Sequence, residues 1–252
     1  MSCMAARSFL SAYLLIGFLN VIAIATQNSA GADLTKPLLM PLLAGWLVLE
    51  LRRIWPAPLR WLGLGIAFAW VGDILLMGDG DLSFALGITA FLVTQVSYLL
   101  AFTRVDGVRF RRGIANPKLP AVGLVQGQRL LLLPFAAYLV LLVALLWPGA
   151  GTMRAPAVIY GVALCVMAAA SLNLVGRMPP VSAWLTFGGA VLFVLSDSLI
   201  ALTEFGPWEQ SDASQALVML TYVAAQGLIA TGLVSGVQTN RTLTHPRLGV
   251  PA

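Results

Sequence analysis

The sequence predicts an all-α integral membrane protein, a bundle of about eight spanning helices with no separate globular domain, and three observations predict it. Of the 252 residues, 59% are hydrophobic and 10% charged, at a mean hydropathy of +0.89, whereas roughly a quarter of a soluble domain is charged. Eight apolar stretches occur, most of them near the roughly 20 residues that one crossing requires. Lys and Arg also collect in alternate connections, as the positive-inside rule demands.

The first stretch, 9–26, follows Arg7. With the small residues around Ser29 to Ala32 it has the look of a signal peptide, but it exceeds the usual apolar core of about 7–15 residues. It reads as a retained helix; cleavage would leave seven spans. The second, 38–51, is short, opens after Lys36-Pro37 and ends before Arg52-Arg53. The third, 59–77, stops at Gly78-Asp79-Gly80-Asp81, and the fourth, 83–103, at Arg104. The segment 104–129, rich in Arg, Gly and Pro, is the one substantial loop and divides the spans four and four. Beyond it come 130–147, ended by Pro148-Gly149; 157–175, ended by Gly176-Arg177; 181–203, ended by Glu204; and 213–237, which runs into a polar tail.

With the N-terminus inside, 13 of the 15 basic residues fall on the cytoplasmic side: Arg7, Arg52, Arg53, Arg60, Arg104, Arg109, Arg111, Arg112, Lys118, Arg129, Arg177, Arg241 and Arg247. Lys36 and Arg154 remain outside, where Asp79, Asp81, Glu204, Glu209 and Asp212 also gather. Both termini and the 104–129 loop are therefore expected in the cytoplasm, and the chain in a bacterial-type inner membrane. The net charge of +5 belongs to this pattern and to no folded basic face, so nucleic acid is not an expected partner. Trp55, Trp61, Trp147, Trp184 and Trp208 stand near span ends, as interfacial anchors do.

Few catalytic chemistries survive this composition. Cys3 and Cys165 have no metal-ligand spacing, and the single histidine, His245, lies in the tail. No metal set and no cofactor motif is present, and a Ser-His or Cys-His pair has no supplier. Two acids remain. Asp73, in Gly72-Asp73-Ile74, and Asp197, in Ser196-Asp197-Ser198, interrupt apolar spans, where an aspartate costs about 2.5–3.5 kcal/mol on insertion scales. Spans three and seven run in the same direction, and each Asp lies within about two turns of the outer end. The carboxyls are thus expected at one depth, as a functional pair or as interhelical glue.

Phe84, Gly87, Phe91, Gln95, Tyr98 and Phe102 recur at three- and four-residue steps, an aromatic stripe carrying one amide, and Tyr222 and Gln226 share a face of the last span. Either set can line a cavity or pack helices. Lys36 stands on the side of the aspartates, either snorkelling, gripping a phosphate, or holding one Asp ionised. Trp70, three residues before Asp73, is expected to shield that carboxyl. Gly-Asp then Thr94-Gln95 in spans three and four parallels Ser-Asp then Ala225-Gln226 in seven and eight, as in two parallel four-helix repeats.

Thr35-Lys36-Pro37-Leu38, Gly72-Asp73-Ile74-Leu75-Leu76, Phe84 to Tyr98, and Phe193-Val194-Leu195-Ser196-Asp197-Ser198 with Tyr222 and Gln226 resemble the YhhN family, which includes the lysoplasmalogenases. One departure is Gln95, where many relatives carry histidine, so no imidazole role is carried over to it. The resemblance implies hydrolysis of the vinyl ether of a lysophospholipid to a fatty aldehyde and a glycerophospho-base. Protonating the outer alkene carbon makes an oxocarbenium ion that water captures. A carboxyl in an apolar site can hold its proton near neutrality, and a second carboxylate can stabilise the cation. On this reading Asp73 and Asp197 are catalytic, with Asp73 beside Trp70 slightly favoured as the acid. Lys36, Gln95, Tyr98, Tyr222 and Gln226 bind substrate, and membrane lipids are the other partners. A proton-coupled transporter or lipid carrier is the alternative use of the same aspartates.

Overall fold

A computed structural model of the chain describes residues 2–52, 54–111 and 113–244; Arg53, Arg112, His245 and Arg247, with the side chains of Cys3 and Arg111, lie outside what is described. Eight of its helices are long and apolar enough to cross a membrane. The long helices are α1 (Ser2–Ala25), α2 (Ser29–Leu51), α3 (Ala57–Leu75), α4 (Asp81–Thr103), α6 (Leu133–Leu146), α7 (Arg154–Leu172), α8 (Pro180–Glu204) and α9 (Asp212–Thr244). A single turn, α5 (Leu124–Gly127), precedes α6, and a 3-10 turn at Arg129–Leu132 completes the fifth span.

Helices α1 and α2, α3 and α4, and α8 and α9 pack as antiparallel pairs. The last helix is the hub, touching α1, α2, α3 and α8, while α4 reaches the second half through α7. Peripheral α6 leans on α7 and α8. The α8–α9 seam is closest because small residues face each other. A Cβ on Gly189 would stand 2.7 Å from the Ile229 backbone nitrogen, and one on Gly232 2.7 Å from that of Thr186. Such approaches let helices associate in lipid, where the apolar solvent gives no hydrophobic drive. Gly232→Ala is expected to cost about 1–3 kcal/mol, as overpacking does, and to lower the melting temperature of detergent-purified protein; an unchanged melting curve would remove the seam from this account.

The second span differs from expectation: it begins nine residues earlier, at Ser29, with Asn28 Oδ1 accepting from the Gly31 N–H at 3.0 Å. Pro37 and Pro41 lie inside the helix and do not mark its start. Pro41 cannot donate to the Pro37 carbonyl, and the indole of Trp70 on α3 takes its place at 2.9 Å. Neighbouring helices can in this way repair a proline break. Lys36 therefore sits in the second turn of α2.

The 104–129 loop is also more ordered than its composition predicts. Arg109–Arg111 and Ile114–Asn116 form a two-stranded antiparallel hairpin whose turn uses Gly113 at φ 81°. It is tied to the α7–α8 turn through Val108 N–H to Arg177 O and Phe110 N–H to Gly176 O, both 3.0 Å. Asn240 on α9 donates to the carbonyls of Asp106 and Arg177 at 3.0 and 2.9 Å, closing that end of the bundle. Reporter fusions at the hairpin and the C-terminus are both expected to read cytoplasm, following the basic-residue asymmetry. A periplasmic reading from either would overturn the orientation.

Candidate active site

Polar side chains of α3, α4, α7, α8 and α9, most of them buried, come together inside the bundle. Asp73 lies two residues before the end of α3 and Asp197 seven before the end of α8; they are 2% and 6% exposed. Tyr222 on α9 donates its hydroxyl to Asp73 Oδ2 at 2.8 Å. Gln95 on α4 donates to Asp197 Oδ2 at 3.2 Å, and the Tyr160 hydroxyl on α7 donates to the same oxygen. Between these groups the Tyr98 hydroxyl donates to Gln226 Oε1. Each aspartate is thus bonded by a helix from the other half of the chain. The two carboxyls, and Asp73 with Lys36, are near enough to interact electrostatically.

Phe193, one turn before Asp197, meets Phe91, Tyr98 and Tyr222 edge-on at 6.2–6.4 Å between centroids. The α4 stripe is therefore both packing and scaffold: its rings fill the centre and its amide holds an acid. Two polar atoms stay unpartnered there, Gln95 Oε1 and Gln226 Nε2. A buried group of this kind ordinarily has a partner or a water.

A cavity of about 450 Å³ lies between α4, α6, α7 and α8, within the usual range of roughly 300–1,000 Å³ for ligand sites. Phe84, Ile88, Phe91, Leu142, Leu164 and Ile200 supply much of its apolar wall, and Asp197, Tyr160 and Thr89 its polar points. Asp73 is not among its lining residues, nor are Lys36, Gln95, Tyr98, Tyr222 or Gln226. Phe91 separates the two acids' surroundings: it lines the cavity and also packs on Tyr222, 5.9 Å away, which bonds Asp73. Trp70 does not cover Asp73, because its indole turns to α2 and the ring is 40% exposed.

Sequence reasoning missed Tyr160. It is one hydroxyl in an apolar run, with no polar residue at helical spacing to draw attention to it. The available signal was physical: a mid-span tyrosine needs a hydrogen-bond partner in hydrocarbon.

The YhhN family profile matches residues 31–233, an interval that holds every side chain of this site. A Bos taurus protein named lysoplasmalogenase TMEM86A is 33% identical over 183 residues, which cover 68% of this chain and 64% of the relative. The match therefore spans less than two thirds of that relative's length. No solved structure matches the chain.

Proposed function

The chain belongs to the YhhN family, and on that premise we propose that it is a lysoplasmalogenase-like hydrolase, cleaving the vinyl ether of a single-chain lysophospholipid within the membrane. The observation that carries the reading is an apolar cavity whose strongest polar group is a carboxyl, Asp197, supported by Tyr160 and Gln95. A lipid chain needs the apolar wall, and a vinyl ether needs an acid.

Asp197 is the group placed to reach substrate. Its protonated carboxyl gives a proton to the outer alkene carbon as the adjacent carbon becomes an oxocarbenium ion. Water adds to that carbon and returns a proton to the carboxylate, and the hemiacetal then collapses to aldehyde and alcohol. The balance is one water consumed and no other reactant. Tyr160 and Gln95 fix the carboxyl through Oδ2, leaving Oδ1 for the proton. Asp73, one layer behind Phe91, is proposed to stabilise the cation as a carboxylate across a medium of low dielectric, with Lys36 as its charge partner. Lys36 is therefore proposed to serve Asp73.

The test is to give purified, detergent-solubilised protein three lysophospholipids that differ only in the bond at the first glycerol carbon. Aldehyde is expected from the vinyl ether, and no product from the saturated ether or the ester. Cleavage of the ester alone would replace the reading with acyl hydrolysis. With no product from any, the carrier alternative predicts that cysteines along α4 and α8 are labelled from both sides of the membrane.

A further inference from the structure

We propose that Arg154, at the rim of the cavity, binds the phosphate of the lipid whose ether bond lies beside Tyr160 and Asp197. This rests on the cavity being the substrate site, as proposed above. Arg154 is the first residue of α7, and its neighbours Met153, Pro156 and Ala157 line the cavity together with Leu146 and Phe205. The side chain is exposed but not loose. Its Nε donates to the Trp147 carbonyl at 3.1 Å, and its guanidinium lies 4.9 Å from the centre of the Trp147 ring. A cation held over an indole face is anchored, while neither Nη makes a hydrogen bond or ion pair among the described residues. Those two nitrogens form a planar fork suited to phosphate oxygens. The N-terminus of a 19-residue helix adds its own preference for an anion.

Spacing supplies the second argument. Tyr160 follows Arg154 by six residues, a rise of about 9 Å along the helix. In a lysophospholipid an extended glycerol unit separates the phosphate from the ether carbons, and its reach is comparable. A phosphate at the rim therefore sets the reactive bond at the depth of Asp197 and leaves the chain to the apolar wall. Lys36, the other basic residue of this side, does not line the cavity.

The experiment measures binding, so that it stands apart from turnover. The ligands are a saturated ether lysophosphatidylcholine, the matching alkylglycerol without phosphate, and inorganic phosphate, titrated calorimetrically into wild type and Arg154→Gln. Arg154→Gln is expected to weaken the phospholipid by about tenfold or more, the loss of a charge-assisted hydrogen bond, and to leave the alkylglycerol unchanged. Arg154→Lys is expected to recover part of the affinity, since it keeps the charge and loses the fork. Equal weakening of both lipids, no weakening of either, or failure of wild type to prefer the phospholipid would overturn the assignment. So would inorganic phosphate binding as tightly as the lipid. Should these affinities behave as expected while no vinyl ether is cleaved, the head-group site stands and the hydrolase reading falls.

Discussion

Asp197→Asn is expected to lower turnover of a vinyl ether lysophospholipid by about 100-fold or more, the low end for loss of a general acid, while the protein stays monodisperse. The amide fills the same volume and its oxygen can still accept from Tyr160 and Gln95, the two donors that hold the carboxyl. What disappears is the titrating proton. Because the side chain only edges the cavity, at 6% exposure, little substrate affinity goes with it. The expected signature is a fall in kcat with KM nearly constant, the pattern of an interaction made only in the transition state. A variant as active as wild type would remove Asp197 from the chemistry.

Asp73→Asn is expected to lose on the order of 100-fold as well, for a different reason. Asp73 does not line the cavity, and in the proposed mechanism it acts on the cation through its charge, from behind Phe91. Replacing it leaves Lys36 without its proposed counter-charge and removes the second of the two carboxyls proposed to act on the oxocarbenium ion. Lys36→Met in the Asp73→Asn background is therefore expected to restore part of the lost turnover, because it removes the uncompensated cation. A purely structural role for Asp73 predicts the reverse, with the double variant folding no better than the single one and remaining inactive. Kinetics and thermal stability measured on all three proteins separate the two cases.

The bundle was legible in the sequence because hydrocarbon imposes a length and a polarity that few other folds share. Eight spans and the residues between them follow from that constraint alone. The start of α2 was not, since Pro37 and Pro41 read as a beginning and only Trp70, from another helix, makes them tolerable inside. The hairpin of strands 109–111 and 114–116 was hidden for a related reason: Phe110, and Val108 just before the first strand, bond to the α7–α8 turn, and Asn240 holds the Asp106 carbonyl beside it, partners distant in sequence. At the site, the polar residues that stood out as anomalies in apolar spans, Asp73, Gln95, Asp197 and Gln226, are the ones the structure gathers, together with Tyr98 and Tyr222. The sequence does not contain their partition. That Asp197 faces the cavity and Asp73 lies behind Phe91 depends on how α3 and α8 are rotated, which pattern alone does not specify.

Catalysis by carbon protonation leaves a mark on the product that no ester or saturated ether cleavage can leave. Purified protein is incubated with lysoplasmalogen in deuterium oxide, and the aldehyde is reduced as it forms and examined by mass spectrometry. The account predicts one deuteron on the carbon next to the carbonyl, placed there when the carboxyl of Asp197 protonates the alkene, with the label appearing at the rate of wild-type turnover and nearly vanishing with Asp197→Asn. Labelled aldehyde released by Asp197→Asn at the wild-type rate would contradict the account, because the alkene carbon would then gain its deuteron without that carboxyl.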